Sequence, residues 1–347
     1  MNLSPLFWTL SLLAVSLTIF FALGVLAKRR LKKKYPPIGQ LVDIGGYRLH
    51  MHIEGEGTPT IVFDSGAGGI GLTWELVRPA ISKMTRVITY DRAGLGWSDA
   101  SPKPRRADVI ADELHTLLQN ANVEGSFILV GHSLGGVVAR QFAAKYPNEV
   151  AGLVMVDSAH EQQVKHFPEA LVKMVNSMKG MMGVMKLMSK LGIFALKPDL
   201  IQIGDNGNLS KELVANMQGV MASSSSHAEA MIAETESVFA AETQPVSTLG
   251  DLPMTVIRHG QLDENAVPLS LGQQMRDNYE AAWQTLQAEI MSLSTQGRLI
   301  VAERSGHNIM FEQPEIIVES ILEMVGKIRY KDSLSIRNEE MSHVQVG

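Results

Sequence analysis

Gly131-His132-Ser133-Leu134-Gly135 sets a serine two residues from a glycine on either side. The apolar run Phe127–Val130 precedes it and Gly136–Lys145 reads as a helix, so the serine stands on a strand-to-helix turn. A hydroxyl can be presented there only on a strained backbone whose neighbours carry no bulk, and the glycines allow that. The start of the following helix adds partial positive charge where an oxyanion would develop. The chemistry this permits is acyl transfer by a nucleophilic serine; the bland alternative is a glycine-rich turn with a structural serine. Such a serine needs a base, and histidine titrates near neutrality. Ten histidines compete. His307 follows the strand-like run Leu299–Ala302 in the loop Ser305-Gly306-His307. His132 adjoins the serine, but adjacent side chains on a tight turn point apart. His50, His52, His115 and His343 fall on predicted strands, helix faces or the tail; His160, His166, His227 and His259 are pocket candidates with packing as the default. A third group must orient the imidazole. Asp263, in Gly260-Gln261-Leu262-Asp263 after strand-like Met254–Ile257, and Asp157, at the end of strand-like Gly152–Val156, are the candidates. Glu264 is a weaker competitor, and Asp157 could instead cap the helix or loop after it.

These residues need a scaffold, and the pattern around them supplies one. Strand-like runs at Leu41–Ile44, Tyr47–Ile53, Thr60–Phe63, Val87–Tyr90, Phe127–Val130, Gly152–Val156, Met254–Ile257 and Arg298–Ala302 come first as a hairpin about Gly45-Gly46, then alternate with helical stretches. Short apolar runs alternating with helices predict a mostly parallel, buried α/β sheet over 41–157 and 250–328. Between them, residues 158–249 lose the strand pattern and are helical in composition, with a break at Ser223–Ser226. Met174, Met178, Met181, Met185 and Met188 recur at helical spacing and line one face. That face would pack on the core, line an apolar pocket, or both. Residues 329–347 read as a loose tail.

The 347-residue chain contains no cysteine, which excludes disulfides and thiolate chemistry. Residues 5–27 are uncharged and apolar, about 34 Å long as a helix, enough for a hydrocarbon core of roughly 30 Å. Lys28, Arg29, Arg30, Lys32, Lys33 and Lys34 follow at once. This predicts one transmembrane helix, a basic juxtamembrane linker over 28–40, and a catalytic domain on the cytoplasmic side. A cleaved signal peptide, with a secreted enzyme, is the rival; it lacks the positive charge expected at its start. Without residues 1–34 the chain holds 25 cations against 36 anions, a net −11, which argues against a nucleic-acid partner. The basic run would attract anionic headgroups.

Over residues 41–328 the chain resembles the α/β-hydrolase superfamily. The resemblance rests on the strand–Gly-x-Ser-x-Gly–helix unit and on Asp91-Arg92-Ala93-Gly94-Leu95-Gly96-Trp97-Ser98, which is similar to the family's D-x-R-G-x-G-x-S segment after the fourth strand. It implies an order of serine, acid and histidine: Ser133 as nucleophile, His307 as base, and Asp263 as favoured acid over Asp157. It also implies an oxyanion hole from the N–H groups of Leu134 and, in Asp64-Ser65-Gly66-Ala67-Gly68-Gly69, of Ala67. Ser65 stands where the family usually has histidine. Residues 158–249 take the place of its helical cap. The implied activity is ester hydrolysis through an acyl-enzyme, without metal or organic cofactor, on a small-molecule and apolar acyl substrate. Amide, thioester or carbon–carbon bond hydrolysis, acyl transfer, or a non-catalytic membrane-tethered receptor are the alternatives. Epoxide hydrolases and haloalkane dehalogenases of this fold use an aspartate nucleophile, which Ser133 argues against.

Overall fold

The computed structural model describes residues 5–177, 179–204, 207–262, 267 and 271–344. Met178, Asp263 and Glu264 lie outside them. Among these residues eight strands form one sheet: β1 Gln40–Asp43, β2 Arg48–Glu54, β3 Thr60–Asp64, β4 Val87–Tyr90, β5 Phe127–His132, β6 Val150–Val156, β7 Met254–His259 and β8 Gly297–Ala302. Their order is β1-β2-β4-β3-β5-β6-β7-β8. β1 and β2 are antiparallel, as are β2 and β4; every pairing from β4 to β8 is parallel. Asp43 Oδ1 accepts from the N–H groups of Gly45 and Gly46 at 2.7 and 3.0 Å, which closes the first hairpin.

The continuous apolar runs reflect burial on both faces. On β5, Phe127 and Leu129 join one core cluster while Ile128 and Val130 join the other. Helices α3 (Ala107–Asn120), α4 (Leu134–Lys145) and α11 (Gln273–Ser292) cover the first face. Short helices α2 (Arg78–Ile81) and α12 (Ile309–Glu312), and the long α13 (Pro314–Val344), cover the second. α13 buries Ile317, Ile321, Met324, Val325 and Ile328 at helical spacing, each worth about 1.5–3 kcal/mol against exposure. The expected loose tail is instead a continuation of this helix to Val344. The apolar stripe ends at Ile328, but no glycine or proline follows Gly326 until Gly347, so the backbone has no reason to stop.

The insertion is helical, as its composition suggested: α5 Gln163–His166, α6 Glu169–Ser177, α7 Lys179–Leu191, α8 Ile193–Leu196, α9 Lys211–Ser223 and α10 His227–Phe239. The serine-rich break between α9 and α10 is tied to the core, with Ser226 Oγ donating to Gly94 O at 2.9 Å.

The N-terminal helix α1 runs from Pro5 to Lys34, so the basic stretch is helix and not linker. It is long and apolar enough to cross a membrane. Its last third is docked. Gly24, Lys28, Leu31 and Tyr35 form a stripe at helical spacing against the insertion. A Cβ on Gly24 would lie 2.2 Å from Leu191 O, and one on Gly192 would lie 2.5 Å from Gly24 Cα, so the two backbones touch through glycines. The buried Lys28 Nζ donates to Ser189 O at 2.7 Å and to Ser225 Oγ at 3.1 Å. Trp97 Nε1 donates to Tyr35 O at 2.9 Å, fastening the helix end to the core.

Candidate active site

Ser133 sits between β5 and α4 with φ 52° and ψ −118°. That positive φ is strained for a residue with a Cβ, and strain of this kind persists only where the surroundings fix it. They do: Ser133 N donates to Val156 O at 3.2 Å, and Ser133 O accepts from Gly136 N and Ala159 N at 3.1 and 3.0 Å. The flanking glycines are required by contact. A Cβ on Gly131 would lie 2.3 Å from Gly135 O, and one on Gly135 would lie 2.3 Å from Asp64 O.

His307 is on the loop after β8. Its Nδ1 meets Asp157 Oδ2 at 2.6 Å. Asp157 follows β6, with φ 41°, and its carboxylate is buried. The favoured acid, Asp263, lies outside the described residues, and the imidazole nitrogen it was expected to hold is occupied by Asp157. The reason is topological. β6 and β7 are neighbours, and both end beside the β8 loop, so sequence order alone leaves two carboxylates eligible. Nor does Asp157 serve as a cap of the chain that follows it: its oxygens accept from His307, Trp283 and His259. Oδ1 accepts from Trp283 Nε1 at 2.9 Å and from the backbone N–H of His259 at 3.0 Å. His259 Nδ1 lies 2.8 Å from Oδ2 and 2.9 Å from Oδ1, and His259 Nε2 lies 2.8 Å from Glu280 Oε2.

His259 therefore stands between two carboxylates. Burial disfavours its cation, but the charge and hydrogen bond of Asp157, reinforced by Glu280, outweigh burial and push its pKa up to about 10. Reciprocally, burial would raise the Asp157 pKa, yet the His259 charge and the bonds from both imidazoles hold it well below the carboxylate range. Sequence reading named His259 only as a pocket candidate and missed Glu280 and Trp283. Both lie on α11 without a local signature.

His132 lies beside His307, their ring centroids 4.6 Å apart, and has a task of its own. Its Nε2 lies 3.0 Å from His307 O, so it donates there and holds the loop of His307. Burial, then the neighbouring His307, lowers its pKa to about 3, which keeps it neutral.

The loop Asp64–Gly69 follows β3 and is gripped from below and above. Arg92 Nη1 donates to Asp64 Oδ1 at 2.6 Å and Arg92 Nη2 to Gly66 O at 2.6 Å. Glu234, on α10 of the insertion, accepts from Arg92 Nε and Nη2 at 2.9 Å each and from Gly68 N at 3.0 Å. Both charged groups are fully buried and paired, the condition under which such charges are tolerated. Ser65 Oγ accepts from Trp74 Nε1 at 3.1 Å and donates to Ile70 O, so the residue replacing the usual histidine shapes the loop. Asp91, the first residue of the D-x-R segment, accepts from Gly71 N and Trp97 N at 2.8 and 3.0 Å. Leu134 is the first residue of α4, where a helix leaves N–H groups without internal acceptors.

Ser133, His307, Ala67 and Leu134 line one cavity of about 200 Å³. A second, more apolar cavity of about 430 Å³ lies on the other side of Ala67; Met185, Phe194, Met217, Met221 and Met231 of the insertion line it. Methionines of the insertion thus line a pocket, while Met174 packs with Phe167 and Trp283.

Residues 59–185 match the family described as alpha/beta hydrolase fold. Among curated proteins, "Probable transporter efuK" of Hormonema carpetanum is 27% identical over 88% of this chain, which spans 45% of that protein's length. Among solved structures, the epoxide hydrolase CorEH superposes with a TM-score of 0.63 at 20% identity, covering 83% of this chain and 98% of that one. A thermophilic esterase from Thermogutta terrifontis gives 0.55 at 22% identity, covering 81% and 94%. The sheet order, the serine turn and these likenesses give the chain the α/β-hydrolase fold.

Proposed function

We propose that this hydrolase is a membrane-anchored serine esterase. The observation that carries the reading is the 2.6 Å contact between His307 Nδ1 and the buried Asp157, on a histidine that shares a cavity with the strained Ser133. With Nδ1–H bound to Asp157, His307 presents Nε2 as the base. Ser133 Oγ attacks the ester carbonyl and its proton passes to His307 Nε2. The oxyanion is held by the N–H groups of Ala67 and Leu134. His307 returns the proton to the departing alkoxide, leaving an acyl group on Ser133. Water then repeats the sequence and releases the acid. The epoxide hydrolase likeness is one of fold; a serine at the elbow favours acyl chemistry over epoxide opening.

The docked end of α1 supports retention of the helix. Cleavage after Ala27 would uncover Leu191 and Gly192, which Gly24 covers. The six cations at its end favour a catalytic domain on the cytoplasmic side. A fluorophosphonate probe should label the wild-type protein, fail on Ser133→Ala and label His307→Ala weakly. Complete resistance of the folded wild-type protein to the probe would refute the esterase. Protease access to the globule in vesicles of known orientation tests the topology.

A further inference from the structure

The surface of the insertion beside α1 is unlike the rest of the globule. Met181, Val184 and Leu187 on α7, Leu196 on α8 and Leu200 just beyond it are between 41% and 57% exposed. From residue 170 to 198 the sequence holds Lys173, Lys179, Lys186, Lys190 and Lys197 and no acid. The chain beyond residue 34 is strongly acidic, so this is a basic and apolar segment on an otherwise anionic domain. The combination suits the interface of an anionic bilayer, where apolar side chains enter the acyl boundary and lysines meet headgroups.

Its placement agrees. α1 meets the insertion at Gly24, against Leu191 and Gly192, where α7 passes into α8. The helix is exposed and apolar before that point and cationic after it, so the junction marks the membrane surface. Behind the same face lies the 430 Å³ cavity. Ser189, whose carbonyl holds Lys28, lines it, and the exposed Leu200 stands at its rim. On its inner side the cavity reaches Ala67, shared with the cavity of Ser133 and His307.

We infer that the α7–α8 face rests on the bilayer and that the larger cavity receives the apolar chain of a membrane-resident ester, drawn sideways from the lipid to Ser133. The substrate half rests on the esterase reading, and the contact half on α1 crossing the membrane. A second copy of the chain fits less well, since two such basic faces would repel.

The full-length, cysteine-free chain allows single cysteines at Leu187, Leu196 and, as a control on the core, the exposed Lys83. Each carries a nitrobenzoxadiazole dye in vesicles of phosphatidylcholine and phosphatidylglycerol with brominated chains. Quenching at 187 and 196 but not at 83 is expected. Absence of quenching at 187 and 196, equal quenching at all three, or dye burial only on dimerisation in detergent would overturn the bilayer contact. In a second arm, Leu187→Glu and Leu196→Glu should slow hydrolysis of p-nitrophenyl palmitate supplied in vesicles at least tenfold, with p-nitrophenyl acetate in solution unchanged. Equal loss on both esters, or no loss on either, would overturn the lateral route. A wild-type protein inert to both esters and to fluorophosphonate refutes the esterase and the substrate half together, while the dyes still decide the contact.

Discussion

Asp157→Asn separates the two carboxylates that chain order leaves eligible. Among the described residues, four N–H groups converge on the two oxygens of Asp157: one each from His307 Nδ1, Trp283 Nε1, His259 N and His259 Nδ1. Asparagine offers one oxygen and one NH₂, so one side of the carboxylate site must face a donor. Three of the four donors reach Oδ1, so the amide oxygen settles there and the NH₂ meets His307. The imidazole then carries its proton on Nε2 and cannot accept one from Ser133. Loss of the correct tautomer in such a triad costs about 10⁴ in kcat, roughly 5.5 kcal/mol of barrier. The charged His259 also loses one of its two carboxylates, so the fold should weaken by up to ~3 kcal/mol. Thermal unfolding and steady-state turnover of a p-nitrophenyl ester, measured together below the lowered melting point, separate the two effects. A variant retaining more than a tenth of wild-type kcat, or an Asp263→Asn variant that loses more, would place the acid after β7 and refute the reasoning.

Glu234→Gln keeps the shape of the strut between α10 and the oxyanion loop but leaves one carbonyl oxygen for both Gly68 N and Arg92. A fall of roughly ten- to fiftyfold in kcat with little change in KM is expected, within the 3–4 kcal/mol of a lost oxyanion donor; a lower melting point with unchanged kcat would mean a purely structural role. Gly24→Val would put side-chain atoms onto Leu191 O, so α1 should lift from the insertion; faster tryptic cleavage after Lys28 checks it. His227 is buried and its pKa is lowered to about 4, mainly by burial. The unfolded chain then binds the extra proton, so stability should be full above about pH 6.5 and fall toward pH 4. Urea midpoints across that range should fall less in His227→Gln. His259 runs the other way: its contribution is complete below about pH 6.5 and lost as pH rises through about 10.

How much of the molecule is legible in its sequence depends on how local each cause is. The strained serine writes itself into five consecutive residues because the collisions it avoids are with Gly135 and Asp64, at hand in the chain or on the next strand. The sheet was legible because each strand alternates between two covered faces. The acid was not, since its identity depends on which of two adjacent strand ends approaches the His307 loop. Trp283 and Glu280 look like ordinary members of an amphipathic helix until α11 is laid beside β7. Glu234 could not be found at all from sequence: its meaning lies in Arg92, 142 residues away. The docked stripe of α1 was hidden because Gly24 sits among apolar neighbours and Lys28 among basic ones, where neither stands out.

The Glu234–Arg92 junction bears on how the site is reached. One carboxylate belongs to the roof, the guanidinium belongs to the floor, and the two together hold the peptide carbonyls and N–H of the loop that the proposed mechanism aims at the oxyanion. Swinging the roof away would part Glu234 from Arg92, leaving the guanidinium only Asp64 as a carboxylate partner, and would free the N–H of Gly68. On the proposed esterase reading, the ceiling would stay closed during turnover, with traffic confined to gaps between the roof helices. Selectivity would then be set by the width of a side door and by which surface that door faces, more than by the chemistry waiting inside.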